Sequence, residues 1–125
     1  MANRGLVKSY TAGGAISPNR IVKFGAADYT VLQGAAATDS LVGVTVPLLT
    51  VAQGETVDVI HDGIADVEYG GNVTRGDLLT SDANGKAVTA APVAGANARI
   101  IGTALVSGVA GDICPVLIDL TSFQG

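Results

Sequence analysis

Aromatic side chains are scarce in this sequence, at 4% with no tryptophan. No cluster of tyrosine or phenylalanine is available as a stacking platform for nucleic-acid bases. Basic runs are missing as well, and the net charge is −4. A protein that neutralises phosphates needs a Lys/Arg patch, so nucleic acid is not an expected partner. The one cysteine, Cys114, cannot form an intrachain disulfide. It lies in an apolar run without basic neighbours, the setting of a buried, inert thiol. No stretch approaches the ~18 apolar residues of a membrane-spanning helix, and the N-terminus shows no continuous apolar signal segment. The expectation is a soluble product made in a cytoplasm, with no membrane partner. The lone histidine, His61, sits beside Asp62, but no supported nucleophile accompanies the pair.

Valine, alanine, leucine and isoleucine dominate a chain that is 48% hydrophobic, and they are punctuated by 17 glycines. That composition predicts short strands and many turns. The 125 residues fall in the usual single-domain range of roughly 100–200. A chain of this size buries a core without a metal or disulfide staple. Residues 1–15 show little periodicity and read as an extended N-terminal arm, ordered when something docks it. Residues 16–125 read as a single β domain.

Within that domain one supersecondary unit is used twice, over about 16–69 and 73–120. Gly43 corresponds to Gly102 (102 − 43 = 59), and Gly54-Glu55 to Gly111-Asp112 (111 − 54 = 57). Upstream, Arg20 to Phe24 is aligned with Gly76 to Thr80. Neither half buries its apolar face alone, which predicts one compact all-β fold, a β-barrel or β-clip-like domain, with a jelly-roll sandwich as the alternative. Strands are expected at Ile21 to Phe24, Tyr29 to Gln33, Leu78 to Ser81, Lys86 to Thr89, Ile100 to Val106 and Ile113 to Leu120. Asn84-Gly85 turns the Leu78–Thr89 hairpin. Gly34 to Ser40 is a surface crossing, with one helical turn as its alternative. Pro115 lacks an amide donor and calls for an edge or an unpaired position.

Around Asp62-Gly63 the sequence predicts a hairpin with a three-residue loop, His61-Asp62-Gly63. That loop pairs Val57 with Val67 and Val59 with Ala65, and keeps Asp58, Asp66, Thr56 and Glu68 on the opposite face. Gly63 then takes a left-handed bulge position, and Gly63, Gly85 and Gly111 are the expected structural turns. Asp58 and Asp66 face each other, while Ile60 and Ile64 point outward near the tip, as an apolar pair does when it meets a partner.

No motif completes a chemical site. Asp82-Ala83-Asn84 spells the start of a calcium loop, but the sixth position is Ala87 and the twelfth Val93, so the ligand set fails. Arg75-Gly76-Asp77 reads as the turn that opens the second half. The expectation is no catalytic residue, no metal and no cofactor.

The order of the short motifs resembles the small phage head-decoration, or capsid cement, proteins. Met1-Ala2-Asn3-Arg4 precedes a glycine-bearing arm, and the turn Val73 to Asp77 leads into Leu78 to Asp82. Asn84-Gly85-Lys86-Ala87-Val88, Ile101-Gly102-Thr103-Ala104-Leu105 and Ala110-Gly111-Asp112 follow in order. The 41–53 segment, with Pro47-Leu48-Leu49-Thr50, departs from the pattern. The resemblance implies a non-enzymatic virion protein, made in a bacterial host cytoplasm. It would bind the outer surface of an expanded capsid and clamp neighbouring coat subunits. The major capsid protein is the implied partner, with a homo-oligomer on the capsid, a trimer favoured over a dimer. Contacts are expected from Ala2, Asn3, Arg4, Leu6, Val7 and Tyr10 of the arm and from Ile60 and Ile64. A tail- or fibre-associated β module is the main alternative, and a trimeric β-clip small-ligand binder a lesser one.

One buried thiol and no complete ligand set lead to a direct expectation. The melting temperature is the same with and without reductant, and with and without EDTA, as a thermal melt checks. A shift of several degrees with chelator would instead make the facing carboxylates Asp58 and Asp66 a shared cation site.

Overall fold

The computed structural model describes residues 3–46, 49–92 and 94–124. Among them no helix forms, and nine strands follow one another: β1 (Asn3–Ala12), β2 (Ile21–Phe24), β3 (Thr30–Gln33), β4 (Leu41–Thr45), β5 (Thr56–Glu68), β6 (Leu78–Ser81), β7 (Ala87–Thr89), β8 (Asn97–Ala104) and β9 (Ile113–Gln124). All belong to one mixed sheet in the order β1-β3-β2-β4-β5-β9-β8-β6-β7. A further ladder, β1 antiparallel to β5, joins the first strand to the fifth. That ladder closes β1-β3-β2-β4-β5 into a five-stranded ring, which removes two sheet edges at once. A second ring runs β5-β9-β8-β6-β7 and returns through a parallel bridge between Tyr69, just past β5, and Ala87. The molecule is two small barrels that share β5.

The two barrels repeat one another in register. The bridge Ile16↔Val51 recurs as Val73↔Gly108, each member displaced by 57 residues (73 − 16 = 57; 108 − 51 = 57). The parallel pair Ala12↔Val31 recurs as Tyr69↔Ala87. Tyr10↔Val57 recurs as Val67↔Cys114. The second half of β5 therefore does in the second barrel what β1 does in the first. The segment expected as an undocked arm is, over residues 3–12, a strand that supplies Tyr10 and Ala12 to the core. The two units meet inside β5 instead of between residues 69 and 73. Ile21↔Val44 and Leu78↔Thr103 match, so Ile21 corresponds to Leu78. The sequence alignment of Arg20–Phe24 with Gly76–Thr80 is one residue out of step.

Close approach of strands explains the paired glycines. A Cβ on Gly43 would run into the carbonyl oxygen of Ile60, and one on Gly102 into that of Leu117. Gly54 and Gly111 both turn the chain with positive φ, 88° and 93°. Gly85, φ 72°, closes the β6–β7 turn.

β5 overturns the expected hairpin. It is one 13-residue strand, and Val57 and Val59 lie opposite Tyr10 and Lys8 of β1, not opposite Val67 and Ala65. Glycine at φ 105° is present at Gly63, but it bends a continuing strand. The pairing runs Leu6↔Asp62 and then Val7↔Ile60, which leaves His61 as an extra residue on β5; Gly5 is the matching extra residue on β1. A bulge shifts the inward–outward alternation by one. Val57 and Val59 thus fill the first barrel, whereas Ile60, Ala65 and Val67 lie in the second core. That second core merges the interior of the second barrel with the outer face of the first, where Ile21, Val44 and Ile60 pack beneath it. Each such side chain stabilises the fold by about 1.5–3 kcal/mol through burial.

The remaining elements need little comment. Gly34–Ser40 crosses as a turn without helix. Pro115 lies opposite Asp66, and the paired positions of β8 stop one residue short of it, at Ala104↔Val116. Pro47 and Leu48 fall outside the described residues.

Gly43→Ala and Gly102→Ala are each expected to cost about 3 kcal/mol, the upper range for overpacking, because backbone must move. Gly54→Ala meets no atom within 4 Å and should cost about 1 kcal/mol from its left-handed φ alone. Urea unfolding of the three variants checks the order.

Candidate functional site

The groups that invite a chemical reading are each engaged by the fold. His61, expected in a three-residue hairpin loop, is the half-buried extra residue of the β5 bulge. Its Nε2 lies 2.7 Å from the Tyr10 hydroxyl, and the ring centroids are 5.5 Å apart. Asp58 and Asp66 do not face each other, because no hairpin folds them together. Asp58 instead accepts a 2.6 Å bond from the Ser9 hydroxyl across the β1–β5 ladder. Asp82 accepts from the amides of Asn84 and Lys86, at 2.8 and 2.9 Å. Asp77 of the Arg75-Gly76-Asp77 turn accepts from the Thr74 amide and the Thr89 hydroxyl, both at 2.9 Å. Asp82 and Asp77 hold turns. Among the described residues no group of three or more His, Cys, Asp or Glu is placed to hold a metal ion.

Burial shifts the Cys114 thiol and the Tyr69 hydroxyl. It pushes the Cys114 thiol up, with the nearby Asp112 carboxylate adding to it and the neighbouring Tyr69 hydroxyl opposing it; such a thiol is a poor nucleophile. Burial likewise pushes the Tyr69 hydroxyl to about 12, where it donates to the Val106 carbonyl at 2.8 Å. Glu68 behaves oppositely. Burial alone would raise its carboxyl, but hydrogen bonds from Lys86 and Arg20 outweigh that and hold it below the ordinary value. Arg20 lies 2.8 Å and Lys86 3.0 Å from its oxygens. This triad ties the Ile21-bearing segment of the first unit to the β6–β7 turn of the second.

Exposed side chains are the other candidates among the described residues. Of the expected contact residues, Leu6 is 61% exposed and Val7 exposed, while Asn3 and Arg4 lie on β1 opposite Ile64 and Gly63. Ala2 falls outside the described residues. Tyr10 is in the core of the first barrel, and Ile60, 2% exposed, lies under the second unit. Neither presents a side chain to a partner from these positions. Ile64 is half-buried.

Two exposed groups were not singled out from sequence. The first is the β2–β3 corner, where Phe24 and Tyr29 line a hollow of about 480 Å³ with Lys8, Gly25, Ala27 and Asp28. Tyr29 is 70% exposed and holds φ at 62°. The equivalent turn of the second unit places Gly85 there. A bulky residue at positive φ carries strain that glycine avoids. The Lys8 ammonium stands 5.2 Å from the Tyr29 ring centroid and 5.6 Å from that of Tyr10. The second group lies on the second unit, where Leu78, Leu105, Val106, Ile113 and Leu117 are exposed. A signal existed in Val116-Leu117-Ile118, since an unbroken apolar run in a strand is apolar on both faces.

A family model described as phage cement protein matches residues 2–118, which takes in both units. No match was found among curated proteins. Among solved structures, the N base of head fiber gp8.5 in bacteriophage phi29 is similar, with a TM-score of 0.66 and 18% identity, covering 96% of this chain and 98% of that one. At that identity the likeness concerns the fold.

Glu68 carries a pH prediction. Its folded value lies below its unfolded one, so its stabilisation is complete above the unfolded value, at about pH 4. It is lost as pH falls through the folded value. Glu68→Gln is expected to be less stable than wild type at neutral pH and to lose less on acidification. Denaturant midpoints measured across acid pH check this, and parallel curves contradict it.

Proposed function

Because the chain belongs to the phage cement protein family, a structural, capsid-associated class, we propose that it binds the outer surface of an expanded head. There it holds neighbouring coat subunits together without catalysing a reaction. The observation that carries this reading is the extent of the family match, residues 2–118. A cement that binds the expanded lattice and not the compact one adds its binding free energy to the stability of the expanded form. Contacts to two coat subunits at once raise the effective affinity even when each is weak.

The coat contact is assigned to the first barrel, at the outer side chains Leu6 and Val7 and the corner of Phe24 and Tyr29. The strain at Tyr29 supports the corner, since nothing in the barrel requires an aromatic where the second unit is content with glycine. The first strand takes part as an anchored strand bearing exposed side chains, in place of an arm that orders on docking. Removal of residues 2–14 would delete core residues and does not isolate this role; point changes do. The protomers are placed on the head as a homo-oligomer. A second reading, attachment base of a head fibre, is favoured by the similarity to the phi29 head fiber base.

Co-sedimentation with emptied expanded heads and with precursor shells tests the proposal. Wild type is expected in the pellet with expanded heads only, and Leu6→Asp and Tyr29→Gly to bind about tenfold or more weakly. Tyr29→Gly should at the same time melt no lower than wild type, because strain is relieved. Equal binding to both shells, or to neither, overturns the cement reading. Density continuing outward from this chain into a fibre on the intact virion favours the second one.

A further inference from the structure

Thr80 of β6 is 3% exposed, and its Oγ1 is, among the described residues, a buried side-chain oxygen without a hydrogen-bond partner. A buried hydroxyl left unpaired is costly, and folds rarely keep one. The neighbouring hydroxyls are engaged: Ser81 donates to the Asp82 carbonyl and Thr89 to the Asp77 carboxylate, both at 2.9 Å. Thr80 lies directly opposite Val88 of β7, and opposed residues share one face of a sheet. On that face the two line a hollow of about 350 Å³. The first unit contributes Ala37 and Thr38 to its lining, and the second contributes Pro92 and Ala98 as well. Across this junction the Arg99 amide donates to the Ala37 carbonyl at 2.7 Å.

The repeat shows how the first unit treats the equivalent place. The displacement that takes Ile21 to Leu78 takes Lys23 to Thr80, and the one that takes Gly43 to Gly102 takes Asp39 to Ala98. Lys23 and Asp39 form an ion pair at 3.5 Å. In the second unit both partners are cut back, to a hydroxyl and a methyl group, and both line the hollow.

We propose that this hollow binds a small neutral molecule, apolar except for one hydrogen-bonding oxygen, with the Thr80 hydroxyl as donor to that oxygen. Its volume lies at the lower end of the roughly 300–1,000 Å³ of small-molecule sites, which favour junctions between folded units. Such sites join apolar walls to a few placed polar groups. Here Val88, Pro92 and Ala98 supply the wall and the buried Thr80 supplies the polar group, while Thr38 and Asn97, both exposed, line the mouth. None of the described lining residues is charged. An ionic ligand would therefore give up its water without a countercharge. A ligand seated here touches both units of the folded chain only, so its binding free energy adds to the stability of the fold.

The purified full chain, free of capsid, tests this with p-cresol and toluene, two probes that differ by one hydroxyl. Wild type is expected to bind p-cresol about tenfold more tightly than toluene. The readouts are amide shifts at Ala37, Thr80, Val88 and Ala98 in heteronuclear NMR spectra and a higher melting temperature with p-cresol. Thr80→Val keeps the shape without the hydroxyl; it should melt no lower than wild type and bind the two probes equally. Thr80→Ser keeps the hydroxyl and should keep the preference. Ala96→Leu, which places bulk in the hollow, should abolish binding of both. Absence of shifts at these residues up to the solubility limit of the probes leaves water as the occupant and overturns the proposal. A preference for p-cresol that survives in Thr80→Val overturns it as well. So does a Thr80→Val variant that melts well below wild type, because the hydroxyl then has a partner inside the protein.

Discussion

Everything in this molecule turns on a single strand serving two barrels. β5 enters as the last strand of the first ring and leaves as the first strand of the second, with β1 along one edge and β4 then β9 along the other. Such a strand must present side chains inward to one core and then to another on the opposite face. Strict alternation would put Val57, Val59, Ala65 and Val67, all an even number of residues apart, on one face, because its period is two throughout. The extra residue at His61 and the left-handed Gly63 supply the one-residue slip. Val57 and Val59 on one side of that slip, and Ala65 and Val67 on the other, each meet the correct interior. The histidine and glycine that suggest a loop tip are thus the means by which the strand avoids one.

Legibility of the fold from sequence followed how local each cause is. The equivalence of Gly43 with Gly102, and of Gly54 with Gly111, is visible because a close approach or a left-handed turn demands glycine at the spot. The β6–β7 hairpin is visible for the same reason at Asn84-Gly85. Asp62-Gly63 carries an identical local signature, yet positive φ is equally the need of a bulge in a long strand. What separates the two is whether β1 arrives to pair with residues 56–64. That pairing joins residues about 50 apart in the chain, and no pattern within either segment encodes it. The wrong placements of Ile60 and Tyr10 both descend from this, because ring closure by β1 buries one and the second unit buries the other.

The functional surface was legible in smaller part. Leu6 and Val7 stand exposed where an N-terminal contact was expected. The strain at Tyr29 is a backbone fact with no sequence signal except its comparison with Gly85, and that comparison needs the turn-to-turn alignment. Leu117 and Leu78 were hidden for a related reason. An outward leucine and an inward leucine look alike until the register says which face each takes.

The order in which the chain is made gives the shared strand one more consequence. During vectorial synthesis the first barrel has all of its strands once residue 68 has emerged, and domains generally form as they appear. Its outer row of Ile21, Val44 and Ile60 then waits for β6 to β9, and the second ring cannot close until β9, the last strand, is available. A nascent chain therefore carries a finished barrel with a bare aliphatic flank for the time needed to translate its second half.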